Sequence, residues 1–204
     1  MAIILHDIIQ GTPEWMALRA GNPGAASISK IITSTGQISK QREDYLYQLA
    51  GEQITGQCEE TFQSIHMANG TEREATARAL FEMIYDTEVV QAGIIYKDEW
   101  RLFHASPDGL VSDDAGLELK CPMLKTQTRY LLDGKLPTDY FGQVQMSMFV
   151  SERPMWYFMS YYAGMPPFIL KVERDEEYIA KMAKALDDFC ADLQNVVKKL
   201  RSML

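Results

Sequence analysis

Cysteine is scarce: the 204 residues hold three, Cys58, Cys121 and Cys190, far apart and without a CxxC pair. An odd number so spaced supports neither a disulfide framework nor a zinc site, and it falls short of a four-cysteine iron–sulfur cluster. Histidine is equally rare. His6, His66 and His104 have no spacing suited to a metal site or a catalytic triad, and neither a GxSxG motif nor a phosphate-cradling glycine loop is present. No apolar run approaches the ~20 residues of a membrane helix. The opening MAIILHDIIQ lacks the basic region and cleavage site of a secretory leader. A reducing, cytoplasmic setting away from membranes is the expectation. Positive charge is also in deficit, with 20 Lys and Arg against 28 Asp and Glu and a formal net charge of -8. That balance argues against holding nucleic acid by bulk charge, although acids gathered at cations and a few basic residues along one groove are compatible with it.

What is present centres on residues 106–122, SPDGLVSDDAGLELKCP. With 47% hydrophobic residues, the chain around it reads as a single domain over residues 1–204. Two β-type runs, residues 101–105 continued by Leu110 and Val111 and then residues 117–121, flank the turn-rich 113–116 in a β-hairpin pattern. Side chains alternate along a strand, so Glu118 and Lys120 share one face while Leu117, Leu119 and Cys121 point into a core. A four-residue turn at 113–116 would pair Asp108 with Cys121. A three- or five-residue loop, or a bulge near Gly109, sets Asp108 beside Glu118 and Lys120 instead. Two acids and an ammonium then crowd one polar face. Hard oxygen ligands of this kind bind Mg2+ or Mn2+, and a cation so held activates water and offsets charge building on a phosphate. Lys120 would orient or deprotonate that water. The plainer alternative is a surface hairpin whose acids form the turn and whose Glu118 and Lys120 pair across solvent.

Thr12-Pro13-Glu14 marks a helix start, with Thr12 as N-cap and Gly21 as a stop, which puts Arg19 in the last turn. Ser27 reads as the N-cap of an apolar run at 28–32, and Ser39 as the cap of a helix through Ile54. From Met67 or Gly70 to Tyr85 the period is helical, and Glu74 shares a face with Gly70, Ala77 and Phe81. A carboxylate on so apolar a face needs a partner: a cation or its water, or else Arg73, Arg78 or a neighbouring helix. Residues 89–96 read as a strand leading into the hairpin, 125–132 as a helix, and Thr138 as the start of a helix carrying Gln143 and Gln145, which cannot both face one site. Residues 155–162 are a β-prone aromatic run with an antiparallel partner at 168–173. Residues 176–204 form an amphipathic helix, acidic early and basic late as the helix dipole favours. The expected class is α/β, a mixed central sheet with helices on both sides.

Four motifs in order, Gly70-x-x-x-Glu74, Ser106-Pro107-Asp108-Gly109-Leu110, Leu117-Glu118-Leu119-Lys120-Cys121-Pro122 and Gln143-Val144-Gln145, resemble the bacteriophage lambda exonuclease family of the PD-(D/E)XK nuclease superfamily. Trp156-Tyr157-Phe158 and Glu173-Arg174-Asp175-Glu176 extend the similarity, which runs from Trp15 to Glu177. The resemblance implies a restriction-endonuclease-like fold and a Mg2+-dependent 5′ to 3′ exonuclease that degrades one strand of linear duplex DNA to mononucleotides, with two ions and Mn2+ as a substitute. It assigns Asp108, Glu118 and the Leu119 carbonyl to the metal, Lys120 and Glu74 to positioning and activating water, and Gln143 to support of the site. Arg19, Ser27 and Ser106 map to the 5′-phosphate of the DNA end, and Met67 to an apolar wedge that splays the terminal base pairs. A ring-shaped homotrimer around DNA, a single-strand annealing protein as recombination partner and the cytoplasm of a bacterial host are implied as well. The alternatives are an endonuclease of the same fold and a non-catalytic subunit that binds DNA ends, the latter opposed by the intact Glu74, Asp108, Glu118 and Lys120.

Overall fold

In the computed structural model the backbone is described for residues 1–58 and 65–204, and the side chains for residues 1–58 and 73–204. The chain runs β1 (Ile3–Leu5), α1 (Pro13–Arg19), a 3-10 helix (Ala25–Lys30), α2 (Arg42–Thr55), α3 (Ile65–Tyr85), β2 (Val89–Val90), β3 (Ile94–Tyr96), β4 (His104–Ala105), β5 (Gly109–Val111), β6 (Ala115–Lys120), α4 (Leu124–Asp133), α5 (Thr138–Ser151), β7 (Met155–Ser160), β8 (Phe168–Glu173) and α6 (Glu176–Arg201).

Local chemistry accounts for many of the boundaries. The Thr12 hydroxyl accepts from Trp15 N at the start of α1, and Asp175 caps α6 by accepting from Tyr178 N. Two expected caps differ. Gly24 is held extended by a bridge to His104, so the 3-10 helix begins directly after it and Ser27 lies inside rather than at the cap. Helix α2 starts at Arg42 behind Gln41, and Ser39 instead accepts from Gln41 N in the turn ahead of it.

Five strands form a mixed sheet in the order β2-β5-β6-β7-β8, with β6 and β7 parallel and the other neighbours antiparallel. Parallel neighbours need a crossover, which α4 and α5 supply. Alternation then sorts the side chains. Leu117, Leu119 and Met159 join Ala77 and Phe81 of α3 on one face. On the other, Trp156 joins Val144 and Met148 of α5, while Phe158 meets Tyr130 of α4 and Tyr140 of α5. Helices thus flank both faces of a mixed sheet, the α/β class read from the sequence.

A second, three-stranded antiparallel sheet of order β1-β3-β4 stands apart from the first. The strand expected over residues 89–96 is therefore two strands in two sheets. Residues 91–93 carry the chain across. There Gly93 approaches the Ile8 backbone too closely for any Cβ, and its N–H goes to Leu5 O. Of residues 101–105, only His104–Ala105 is a strand, and it pairs with β3 rather than entering the hairpin.

Candidate active site

The central hairpin closes over residues 112–114, between the paired Val111 and Ala115, with Ser112 in the left-handed region at φ 50°. Gly116, read from sequence as part of the turn, is a strand residue opposite Trp156, whose ring fills the space a Cβ would need. This is the three-residue loop among the alternatives. Its register, Gly109 opposite Leu117, sets Asp108 beside Glu118.

Three elements converge on that pair. Asp108 Oδ2 accepts from Leu119 N at 2.6 Å. Glu118 is buried, and its Oε1 accepts from both Lys120 Nζ at 2.5 Å and Gln143 Nε2 at 2.6 Å, so α5 reaches the site through Gln143. Gln145 points elsewhere, bonding Glu173 O and Asp175 N at the entry to α6. Glu74 of α3 is partly buried and lies within the field of Asp108, Lys120 and Arg78. Among the described residues it forms no ion pair. Arg78 donates to the Asp108 carbonyl, and Arg73 lies over the Tyr162 ring, so among the described residues neither arginine makes the salt bridge to Glu74 that the plainer alternative requires.

Burial dominates the electrostatics. It pushes Glu118 up to about 7 against the pull of Lys120, raises Asp108 against the same cation, and raises Glu74 with help from Asp108. For Lys120 burial works downward, but Glu118 and Asp108 overcome it and hold the ammonium above its ordinary range. The lysine is accordingly a cation in this arrangement. Two more residues complete the surroundings: Tyr140, not singled out from sequence, whose ring lies 5.2 Å from Lys120 Nζ, and Arg78, which fixes the Asp108 backbone. Tyr140 precedes Gln143 by three residues on α5, a helical spacing from which it was legible.

Among the described residues, no three acidic, histidine or cysteine side chains converge into a metal cage of their own. The donor set still fits one kind of ion. Two carboxylates buried with a single ammonium are an oxygen-rich, charge-deficient site, and Mg2+ is commonly held by one or two carboxylates with water and substrate phosphates filling the remaining positions.

A second cluster lies two residues upstream of Asp108. Ser106 Oγ accepts from Trp15 Nε1 at 3.2 Å, and the Arg19 guanidinium stacks 3.9 Å from the centre of the same indole. The Tyr45 hydroxyl of α2 is hydrogen-bonded to Ser27 and lies within the field of Arg19. His104 is buried beside Arg19, and its imidazole is pulled down to about 3 by burial and then by that guanidinium. The predicted phosphate residues Arg19 and Ser106 thus meet through Trp15, while Ser27 bonds Tyr45. Trp15 and Tyr45 are additions the sequence did not assign, and His104 is the histidine that stands two residues before Ser106, a candidate from sequence to approach the phosphate. Met67 falls outside the residues whose side chains are described.

The sequence matches the YqaJ-like viral recombinase domain over residues 14–154. The chain belongs to that family. Its fold is also similar to the alkaline exonuclease LHK-Exo of Laribacter hongkongensis, at 31% identity over 94% of this chain and 97% of that one, with a TM-score of 0.84. The same nuclease in complex with dAMP aligns at 30% identity and a TM-score of 0.85, over 94% and 97% of the two chains. A phage-related exonuclease from Haemophilus somnus 129PT shares the fold at a TM-score of 0.63, with 14% identity over 90% and 96% of the chains. No curated protein matches the sequence. In this YqaJ-like chain both clusters fall within the matched segment.

Proposed function

We propose that this chain is a Mg2+-dependent exodeoxyribonuclease that degrades one strand of linear duplex DNA from 5′ to 3′ and releases mononucleotides. It is a phage-type exonuclease, a hydrolase by reaction class. The observation that carries the reading is the cluster of Asp108, buried Glu118 and Lys120, in a chain 31% identical over 94% of its length to an alkaline exonuclease. The dAMP complex of that relative supports a mononucleotide product.

The residues divide the work. Asp108, Glu118 and the Leu119 carbonyl would hold a divalent cation, with Mn2+ able to replace Mg2+ and Glu74 turned toward a second ion. When bound, such a cation supplies positive charge against the phosphate and makes a water more acidic. Lys120, kept protonated by its two acid neighbours, orients the attacking water. Glu74 is the better proton acceptor, because burial and Asp108 raise its carboxyl and so strengthen it as a base. Gln143 fixes the Glu118 rotamer through its amide. Hydrolysis joins the water oxygen to phosphorus and breaks the bond to the 3′ oxygen. Arg19, Ser27 and Ser106 receive the terminal 5′-phosphate, and Met67 parts the last base pairs. Residues 1–204 act as a single domain in a homotrimeric ring around DNA, beside a single-strand annealing protein in the cytoplasm of a bacterial host. No helix among the described residues is long and apolar enough to cross a membrane.

The test compares linear with closed circular duplex, each with Mg2+ or with EDTA. Loss of the linear substrate alone, and with Mg2+ alone, is the expected result. Cutting of the closed circle would make the protein an endonuclease, and digestion in EDTA would remove the cation from the reading.

A further inference from the structure

One side chain links the two parts of the phosphate cluster. Trp15 sits in the first turn of α1, and its indole N–H is shared between Gly93 O at 2.9 Å and Ser106 Oγ at 3.2 Å. Its ring face carries the Arg19 guanidinium at 3.9 Å. An indole N–H can only donate, so the direction of the bond to Ser106 is fixed. With one acceptor position of Oγ filled from Trp15, the serine's own proton is directed away from the indole and is available to a ligand. The stack acts on Arg19 in a complementary way. It uses the face of the guanidinium and leaves the planar fork of N–H donors for other partners. Among the described residues Arg19 forms no ion pair, and its buried Nε has no hydrogen-bond partner. Glu52, the nearby acid, accepts from Gly21 N and Gln48 Nε2. The Gly93 carbonyl holds the indole at this angle, and Gly93 is itself tied to Leu5.

We infer that Trp15 is the positioning residue of the end-binding pocket, its edge turning the Ser106 hydroxyl and its face flattening Arg19 toward the terminal phosphate of a DNA strand. The inference rests on the reading that Arg19 and Ser106 receive that phosphate. Trp15 contacts Ser106 and Arg19. It acts by making two donors from separate segments of the chain available in one place before the strand arrives.

The test measures digestion of 5′-phosphorylated and 5′-hydroxyl linear duplex by one preparation of each variant and takes the ratio of the two rates, which cancels differences in folded fraction. Trp15→Phe keeps the ring face and loses the N–H, and one neutral hydrogen bond corresponds to a fall in the ratio of about three- to tenfold. Because Trp15→Phe and Ser106→Ala remove the same bond, the double variant should fall no further than Ser106→Ala alone. Trp15→Leu, which also loses the stack, should drop toward Arg19→Ala. A wild-type ratio in Trp15→Phe, with Arg19→Ala and Ser106→Ala both collapsed, would overturn the inference and leave the pocket standing. A wild-type ratio in Arg19→Ala would remove the pocket itself, and the role of Trp15 with it.

Discussion

Asp108 and the buried Glu118 stand side by side, with Lys120 bonded to Glu118 and within the field of Asp108. Such a set is arranged for what it can bind and does little for stability. Asp108→Ala, Glu118→Ala and Lys120→Ala should each lower single-turnover cleavage by about a hundred- to a thousandfold or more while the domain stays folded. Glu74→Ala should behave the same way, and a variant that lost only thermal stability would return Glu74 to a structural role. His104 gives a separate prediction in pH. Its unfolded value is about 6.5 and burial takes the folded value to about 3. Between those values the unfolded chain binds a proton the folded chain refuses, so stability is present above pH 6.5 and is lost as pH falls through the window. Glu118 and Asp108, raised by burial, work in the opposite direction, so the informative quantity is wild type minus His104→Asn. In that difference the unfolding free energy should fall with pH by up to about 1.4 kcal/mol per unit. Equal slopes in chemical denaturation would show that His104 does not carry the titration.

The element on which the site depends is the β5–β6 hairpin, and its register is decided by packing against β7. Gly116 lies opposite Trp156, a fully buried ring, so this point of the hairpin admits no side chain and the turn is confined to residues 112–114. Gly116→Val forces Trp156 out of place or the strand out of register. Overpacking of this kind should cost about 3 kcal/mol or more, a drop of about 6–12 °C in melting temperature by calorimetry for a chain of this size. An unchanged melting point would mean that the ring has room to move. Legibility follows the same division. The Thr12 cap, the α4 and α5 pattern and the β7–β8 hairpin were readable because each is set by neighbours a few residues away. The division of residues 89–96 between two sheets was not, because it depends on Gly93 packing against Ile8, 85 positions earlier by their numbering.

For the whole molecule, a net charge of -8 must coexist with a polyanionic substrate. Part of the acid excess is gathered around Asp108 and Glu118, and basic residues such as Arg19, Arg73 and Lys120 lie around the two clusters. A closed ring would hold DNA by enclosure, reducing the need for attraction across a large surface. The family resemblance implies that ring, and mass measurement in solution should report three chains of 23.2 kDa each. A monomer at working concentration would remove the ring and leave the catalytic cluster as it is.

The sequence by itself determined the local pattern: alternation put Glu118 and Lys120 on one face and Leu117 and Leu119 on the other, and the order of four short motifs carried the family resemblance. Strand periodicity and short motifs are local, so no tertiary knowledge was needed for them. Only the tertiary structure decided which turn closes the hairpin, and it put Gln143, the glutamine that the resemblance assigned, against Glu118. It also decided that Arg78 turns to the Asp108 carbonyl, leaving Glu74 without an ion pair among the described residues, and that one indole joins Arg19 to Ser106. Those outcomes depend on contacts between distant segments, where close packing selects one arrangement among several that local sequence allows equally.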